Sequence, residues 1–153
     1  MAAADTIAIL AIAASVHLVV RAWMDLPDRI PVHFGLNGQP DAWGGKGALA
    51  IGPLVSLGSV ILLAIVNRSP HTFNYPVAVT AENAQRQYTI ARELMAQMRA
   101  WIAILGVAIA QMQVQSARAG EVTPTMLTLV LAVAIGAPIV LLIVYVRRAR
   151  AAA

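Results

Sequence analysis

The chain contains no cysteine. That excludes a disulfide framework, a thiol nucleophile and a thiolate metal site, and it leaves the redox compartment unread. Charge is scarce as well: 12% of the 153 residues are Asp, Glu, Lys or Arg, about half the share of a soluble domain. No acidic residue falls in the middle of a long apolar run, so the mid-membrane carboxylate of a proton-coupled carrier is missing. Catalytic groupings are missing too. No serine stands in a recognisable nucleophile setting, and Asp25 and Asp28 merely flank Pro27 in a loop. The apolar runs show no inverted repeat of the transporter kind. The sequence therefore argues against an enzyme or carrier, names no catalytic residue, and implies no cofactor or metal. A pI near 10.4 does not point to nucleic acid, because the net charge is only +4 and the arginines sit at the ends of apolar runs. The opening Met1-Ala-Ala-Ala-Asp5 has no basic segment ahead of its apolar stretch and is not read as a signal peptide.

What the chain does have is hydrocarbon. Hydrophobic residues make up 59% of it and the mean hydropathy is +0.73, which belongs to a lipid-embedded protein. A bilayer core needs roughly 20 apolar residues in a helix. Four stretches meet that need: Thr6–Met24, Ala48–Val66, Trp101–Ala117 and Met126–Val146. The third carries Gln111, Gln113 and Gln115, and the fourth is almost wholly aliphatic with a kink expected at Gly136-Ala137-Pro138. The expected fold is all-α: a single membrane domain over residues 1–153, a four-helix bundle with a structured outer loop at 25–46 and a cytoplasmic segment at 67–100. Lipid is its first partner; a protein partner or a second copy is open. Four spans put both termini on one side, with Arg68, Arg86, Arg92, Arg99, Arg147, Arg148 and Arg150; the other side has Arg21, Arg29, Lys46 and Arg118. The excess of basic residues places both termini in the cytoplasm.

The 67–100 connection is too long for a bare turn. Thr80 suits a helix N-cap, with Glu82 in the first turn where the dipole favours an anion. From there Ala84, Tyr88, Ala91, Leu94 or Met95, and Met98 recur at helical spacing, the pattern of an amphipathic helix. No Pro or Gly separates it from Trp101, so it is expected to join the third span as one helix of about 37 residues, roughly 55 Å long. It either projects from the membrane or bends along the surface.

The loop at 25–46 holds the densest group of marked residues. Pro27 and Pro31 fix φ and push the residues before them toward extended conformations. Val32-His33-Phe34 suits a short strand, Asn37-Gly38 a tight turn with positive φ, Gly44-Gly45 a loosened approach to the second span, and Trp43 the membrane interface. Three readings stay open: a compact cap whose polar side chains tie the loop to itself, a ligand- or peptide-binding loop, and a metal site on His33, Asp28 and Asp41 with His17.

The segment Leu26-Pro27-Asp28-Arg29-Ile30-Pro31-Val32-His33-Phe34, followed by Gly38, Asp41, Trp43-Gly44 and Lys46, resembles the signature of a bacterial membrane-protein domain of unknown function. That domain also stands at the N-terminal end of the SdpI type of toxin-immunity proteins. Asn74-Tyr75-Pro76, Thr80, Glu82-Asn83 and Gln87-Tyr88 resemble a second segment found in many of its members. The resemblance covers the first two spans and the start of the third. It implies a protein of the bacterial cytoplasmic membrane and no particular activity. The immunity proteins carry further C-terminal spans, to which the resemblance does not extend.

Within the membrane, His17 and Arg21 lie four apart on one face of the first helix. Gln111 and Gln115 come to similar depths on the third, and Ser56 and Ser59 lie nearby on the second. Such groups are costly against lipid and turn inward or find partners. They suggest an outward-opening polar pocket between the first three spans, roofed by the loop, with the fourth span as a lipid-facing wall; helix-to-helix glue is the plainer alternative. Small residues four apart, Gly52/Ser56, Gly106/Ala110 and Ala132/Gly136, permit close helix contact. The binding candidates are thus His17, Arg21, Asp28, His33, Asn37, Asp41, Trp43, Lys46, Gln111 and Gln115, with Asn74, Tyr75, Pro76, Thr80, Glu82, Asn83 and Tyr88 marked on the cytoplasmic side. The functional expectation is recognition of a peptide, lipid or toxin through the outer loop, or else an accessory role in a larger membrane complex.

Overall fold

The structure is a computed structural model that describes residues 1–35 and 37–153. Among them are helices α1 (Ala2–Trp23), α2 (Ile51–Val66), α3 (Ala84–Ala119) and α4 (Pro124–Ala151), with a two-stranded antiparallel hairpin, β1 (Arg29–Phe34) and β2 (Pro40–Gly45), between the first two helices. A 3-10 turn at Lys46–Ala50 leads into α2, and the two together make a 21-residue apolar span. All four helices are long and apolar enough to cross a membrane. The fold is all-α with four such helices, as the hydrocarbon runs imply.

Helix α3 organises the rest. It packs against α1, α2 and α4 in turn, whereas α1 and α2 touch each other lightly and α4 packs mainly on α3. The α1–α3 seam is made of small side chains at seven-residue intervals. Ala8, Ser15 and Ala22 on α1 and Ala96, Ala103, Ala110 and Ala117 on α3 are all buried. Seven residues is nearly two helical turns, so each set forms one stripe. Two such stripes let the backbones approach closely, and van der Waals contact then holds helices that have no hydrophobic drive to associate in lipid. The α2–α3 contact relies on the same economy: a Cβ on Gly106 would fall on the Ser56 hydroxyl, and Gly52 faces Gln113.

Two ion pairs bracket this layer. Arg99 of α3 donates from Nε and Nη2 to Asp5 of α1 at 3.1 and 2.6 Å. At the far end Arg118 of α3 reaches Asp25, just beyond α1, at 3.7 Å. Nineteen residues of α3 separate the two arginines, roughly 29 Å of helix, which is about the thickness of a hydrocarbon core.

Residues 84–98 of α3 therefore extend about 22 Å past Arg99. The C-terminal turns of α4 accompany them: Gln87 donates to the Ala149 carbonyl at 2.9 Å, and Arg148 pairs with Glu93 at 2.7 Å. The 36-residue α3 is continuous with its amphipathic stretch, which runs beside the C-terminal turns of α4. Its start differs from the expectation. The helix begins at Ala84 with Asn83 as N-cap, and Thr80 is in the turn before it. Asn83 reaches back, accepting from Thr80 N–H and donating to the Ala78 carbonyl, while Ala84 N–H already donates to the Thr80 carbonyl at 2.9 Å, so Thr80 is bonded into the turn that opens the helix although the regular helix starts later. In α4, Thr123 caps the Met126 N–H ahead of Pro124. Pro138 sits inside the helix, and one turn before it the Trp101 indole donates to the Val133 carbonyl at 3.1 Å.

Candidate functional site

The hairpin follows from its residues. Pro31 keeps β1 extended, Gly38 takes φ of +78° at the turn, and Asn37 Oδ1 accepts from Gln39 N–H at 3.1 Å, the Asx geometry suited to this turn. Ile30 pairs with Gly44 and Arg29 with Gly45. The two glycines are thus strand residues, not a loosened linker. Gly44 is required by contact, since a Cβ there would stand 2.9 Å from Val32 Cγ1. The register shifts between Pro31 and His33; this bulge is a local twist of the strand.

The hairpin is tied down on two sides. Beneath it lies the apolar core of the molecule, made by Val19, Ala22, Leu26, Ile30, Leu49, Ala110, Val114 and Ala117. Laterally, the Gly38 carbonyl accepts from Val122 N–H at 3.2 Å and Gln39 Nε2 donates to Glu121 at 3.4 Å, which joins the hairpin turn to the α3–α4 connection. On its surface His33 Nδ1 meets Asp41 at 2.5 Å, and Lys46 pairs with Asp28 at 3.0 Å while lying over the Trp23 ring. This end carries four Lys and Arg against four carboxylates, and the Arg99 end carries seven against three.

Beneath β1 is a cavity of about 290 Å³. Ile30, Pro31, Val32 and Phe34 of the hairpin roof it, Ala48, Leu49 and Ile51 form one wall, and Ile109, Met112 and Gln113 of α3 form the other. Its lining is apolar except for Gln113, whose Oε1 is buried without a hydrogen-bond partner among the described residues. A buried acceptor left unmet costs about 1–3 kcal/mol. A smaller hollow of about 230 Å³ lies on the other side of Phe34 and shares Val32 and Met112 with the first. Chemically this arrangement suits an apolar chain or side chain, with Gln113, whose Oε1 faces Gly52, as the one polar side chain in the wall.

The marked residues are not gathered in one place. Asp28, His33, Asn37, Asp41 and Lys46 are all in the cap, and Trp43 is half exposed on it. His17, Arg21 and Gln115 are exposed on the flanks of α1 and α3, and Gln111 is half-buried. The polar pocket expected between the first three spans is therefore not formed by them. The small-residue stripe takes the inward face of α1, and His17, two positions from Ser15, is turned away from it. Nor do the proposed metal residues converge: among the described residues no three His, Asp or Glu side chains come together as a metal site would need. Asp28 is held by Lys46 instead. Ala132 and Gly136 do not serve a helix seam, as both are exposed on α4.

On the other side of the membrane layer, Tyr75 donates to the Pro70 carbonyl at 2.8 Å and contacts Phe73 and Tyr88, folding the 68–78 segment against α3. Burial, with help from neighbouring Tyr145 and Tyr88, pushes its phenol up to about 12. Glu82 is fully exposed, and the Thr80 hydroxyl and its own backbone N–H hold its carboxyl below the usual range. Asn74 and Pro76 are exposed beside them. Sequence reasoning passed over Gln113, singled out earlier only for its polarity, and the lining residues Ile30, Leu49, Ile109 and Met112. Alternation along β1 was the available signal for Ile30; nothing in the sequence marked the others.

Residues 8–57 match a family model described as a domain of unknown function, DUF1648. The match takes in α1, the hairpin and the first turns of α2, and so includes the loop signature; Asn74–Tyr88 lies outside it. An uncharacterized protein of the archaeon Archaeoglobus fulgidus is 37% identical over 62 residues, which is 35% of this chain and 34% of that protein. The chain thus matches about a third of its relative's length. No solved structure matches.

Proposed function

We propose that the chain is a non-enzymatic recognition protein of a bacterial cytoplasmic membrane, which takes the apolar part of a peptide, lipid or toxin into the cavity beneath the hairpin. The observation that carries this reading is the cavity itself, an apolar hollow with the single unmet acceptor of Gln113. The excess of arginine at the Arg99 end supports a cytoplasmic position for that end and for both termini, with the hairpin facing outward. A ligand under the hairpin touches α3 at Met112 and Gln113, and α3 runs unbroken to the cytoplasmic aromatic cluster. That continuity gives a bound state a route across the membrane.

The test is photocrosslinking from Val32→p-benzoylphenylalanine in native membranes, with the adduct identified by mass spectrometry. A peptide or lipid adduct that falls with Gln113→Leu supports recognition at this site. A stoichiometric membrane-protein adduct indifferent to Gln113 would favour an accessory subunit of a larger complex. No adduct at all would count against the cavity as a ligand site.

A further inference from the structure

The Arg99 end of the molecule holds a second group of unmet polar atoms, independent of the hairpin cavity. Arg99 is 5% exposed. Its Nε and Nη2 are spent on Asp5, and its Nη1 is buried without a partner among the described residues. Arg92 lies seven residues earlier, on nearly the same face of α3 two turns away. Its Nε is likewise buried and unmet. Asn67, the C-cap of α2, adds a third such atom, Oδ1.

These three belong to one layer. Helix α2 runs down α3 with Gly52 beside Gln113 and Ser56 beside Gly106, and continuing that course brings its end to the stretch of α3 that carries Arg92 and Arg99. The Phe73–Tyr75–Tyr88 cluster closes the layer one turn beyond Arg92. The charge here is unbalanced. Asp5 is the carboxylate that answers Arg99, while Glu93, next to Arg92, is occupied by Arg148. Arg68, beside Asn67, adds a further exposed cation. A guanidinium cannot shed its charge, so its buried N–H groups need an acceptor.

We propose that Arg92 and Arg99, with Asn67 at the rim, form a binding site for a phosphate group. Two guanidiniums two turns apart on one face of α3, each with a buried unmet donor, suit an oxyanion with several acceptor oxygens. The Asn67 amide, turned about its last bond, offers an N–H to the same group. The layer lies roughly 29 Å along α3 from Arg118, the depth at which lipid phosphates stand. A lipid headgroup and free phosphate share this chemistry.

The experiment uses the full chain, stripped of lipid in a neutral detergent. Native mass spectrometry follows titration with phosphatidylglycerol, with inorganic phosphate, and with diacylglycerol as the chain-matched control. The expected result is one-to-one binding of a phosphate-bearing probe, weakened about tenfold by Arg92→Gln and unchanged by Arg86→Gln. Among the described residues Arg92 makes no ion pair, so this variant leaves Arg99–Asp5 in place. Binding of phosphatidylglycerol alone assigns the site to a headgroup; binding of inorganic phosphate as well assigns it to soluble phosphate too. Either supports the site. Equal binding of diacylglycerol, an Arg92→Gln variant that binds like the parent, an equal loss in Arg86→Gln, or no binding of either phosphate probe would overturn it. None of these outcomes bears on the hairpin cavity.

Discussion

Replacing Gly106 by alanine places a methyl group on the Ser56 hydroxyl and 3.0 Å from Ser56 Cβ. Rotation of the hydroxyl relieves the first contact. The second lies along the α2 backbone and requires the helices to part by a few tenths of an ångström. Overpacking a seam of this kind costs about 1–3 kcal/mol, and the gain in helix propensity from Gly to Ala, about 1 kcal/mol, offsets part of it. The informative quantity is therefore the coupling with Ser56. Ser56→Gly alone should cost about 0.5 kcal/mol through propensity, yet in the Gly106→Ala background it removes the obstacle and should restore stability. A double-mutant cycle read by denaturing-detergent titration, with helicity as the signal, should give a coupling of at least about 1 kcal/mol. Additive effects would mean that α2 and α3 do not meet at these residues, and the seam as described would be wrong.

Three further outcomes follow from the contacts. Asp5→Asn removes the charge that answers a guanidinium 5% exposed; because the Asp5 side chain is itself 44% exposed and asparagine keeps an acceptor oxygen, the loss should be about 1–2 kcal/mol, and a change under about 0.5 kcal/mol in the same titration would show the pair to be ornamental. Gly38→Ala puts a side chain at φ +78° and 2.8 Å from the Val122 carbonyl, and should loosen the hairpin from the α3–α4 connection, seen as faster hydrogen exchange at the Val122 amide while α1 is unaffected. For Tyr75, the folded phenol holds its proton to about 12 against about 10 in the unfolded chain. The stability this reflects is therefore full below pH 10 and is lost as pH rises from 10 through 12. Ultraviolet titration should show a late-titrating phenol that disappears in Tyr75→Phe; three phenols titrating together near about 10 would refute the packing.

Much of this fold was legible because lipid imposes a simple rule. Long aliphatic runs have one stable conformation in hydrocarbon, so four helices followed from hydropathy, and the Asn37-Gly38 turn followed from its need for positive φ. Helix ends were less legible. Thr80 and Asn83 bond to each other across the opening turn, so the start of the regular helix shifts by a few residues that no capping residue marks in advance. The inward face of α1 was misjudged for a physical reason. Polarity was weighted over size, but packing in lipid rewards close approach, so Ala8, Ser15 and Ala22 face α3 and His17 does not. The seven-residue spacing of those small residues was present in the sequence and is the signal that finds the seam. The candidate cavity was less accessible still, since Gln113 becomes distinctive only when the hairpin covers it and leaves its oxygen unanswered.

The account rests on α3 crossing the bilayer between its two arginines, with the hairpin at one surface and the 68–78 segment at the other. Because the chain has no cysteine, single substitutions can be labelled without background. Gln39→Cys and Ala119→Cys should react with an impermeant maleimide applied outside intact cells, Ser69→Cys and Ala152→Cys only after the membrane is opened, and Leu131→Cys in neither case. Labelling of Gln39→Cys and Ser69→Cys from the same side would contradict it.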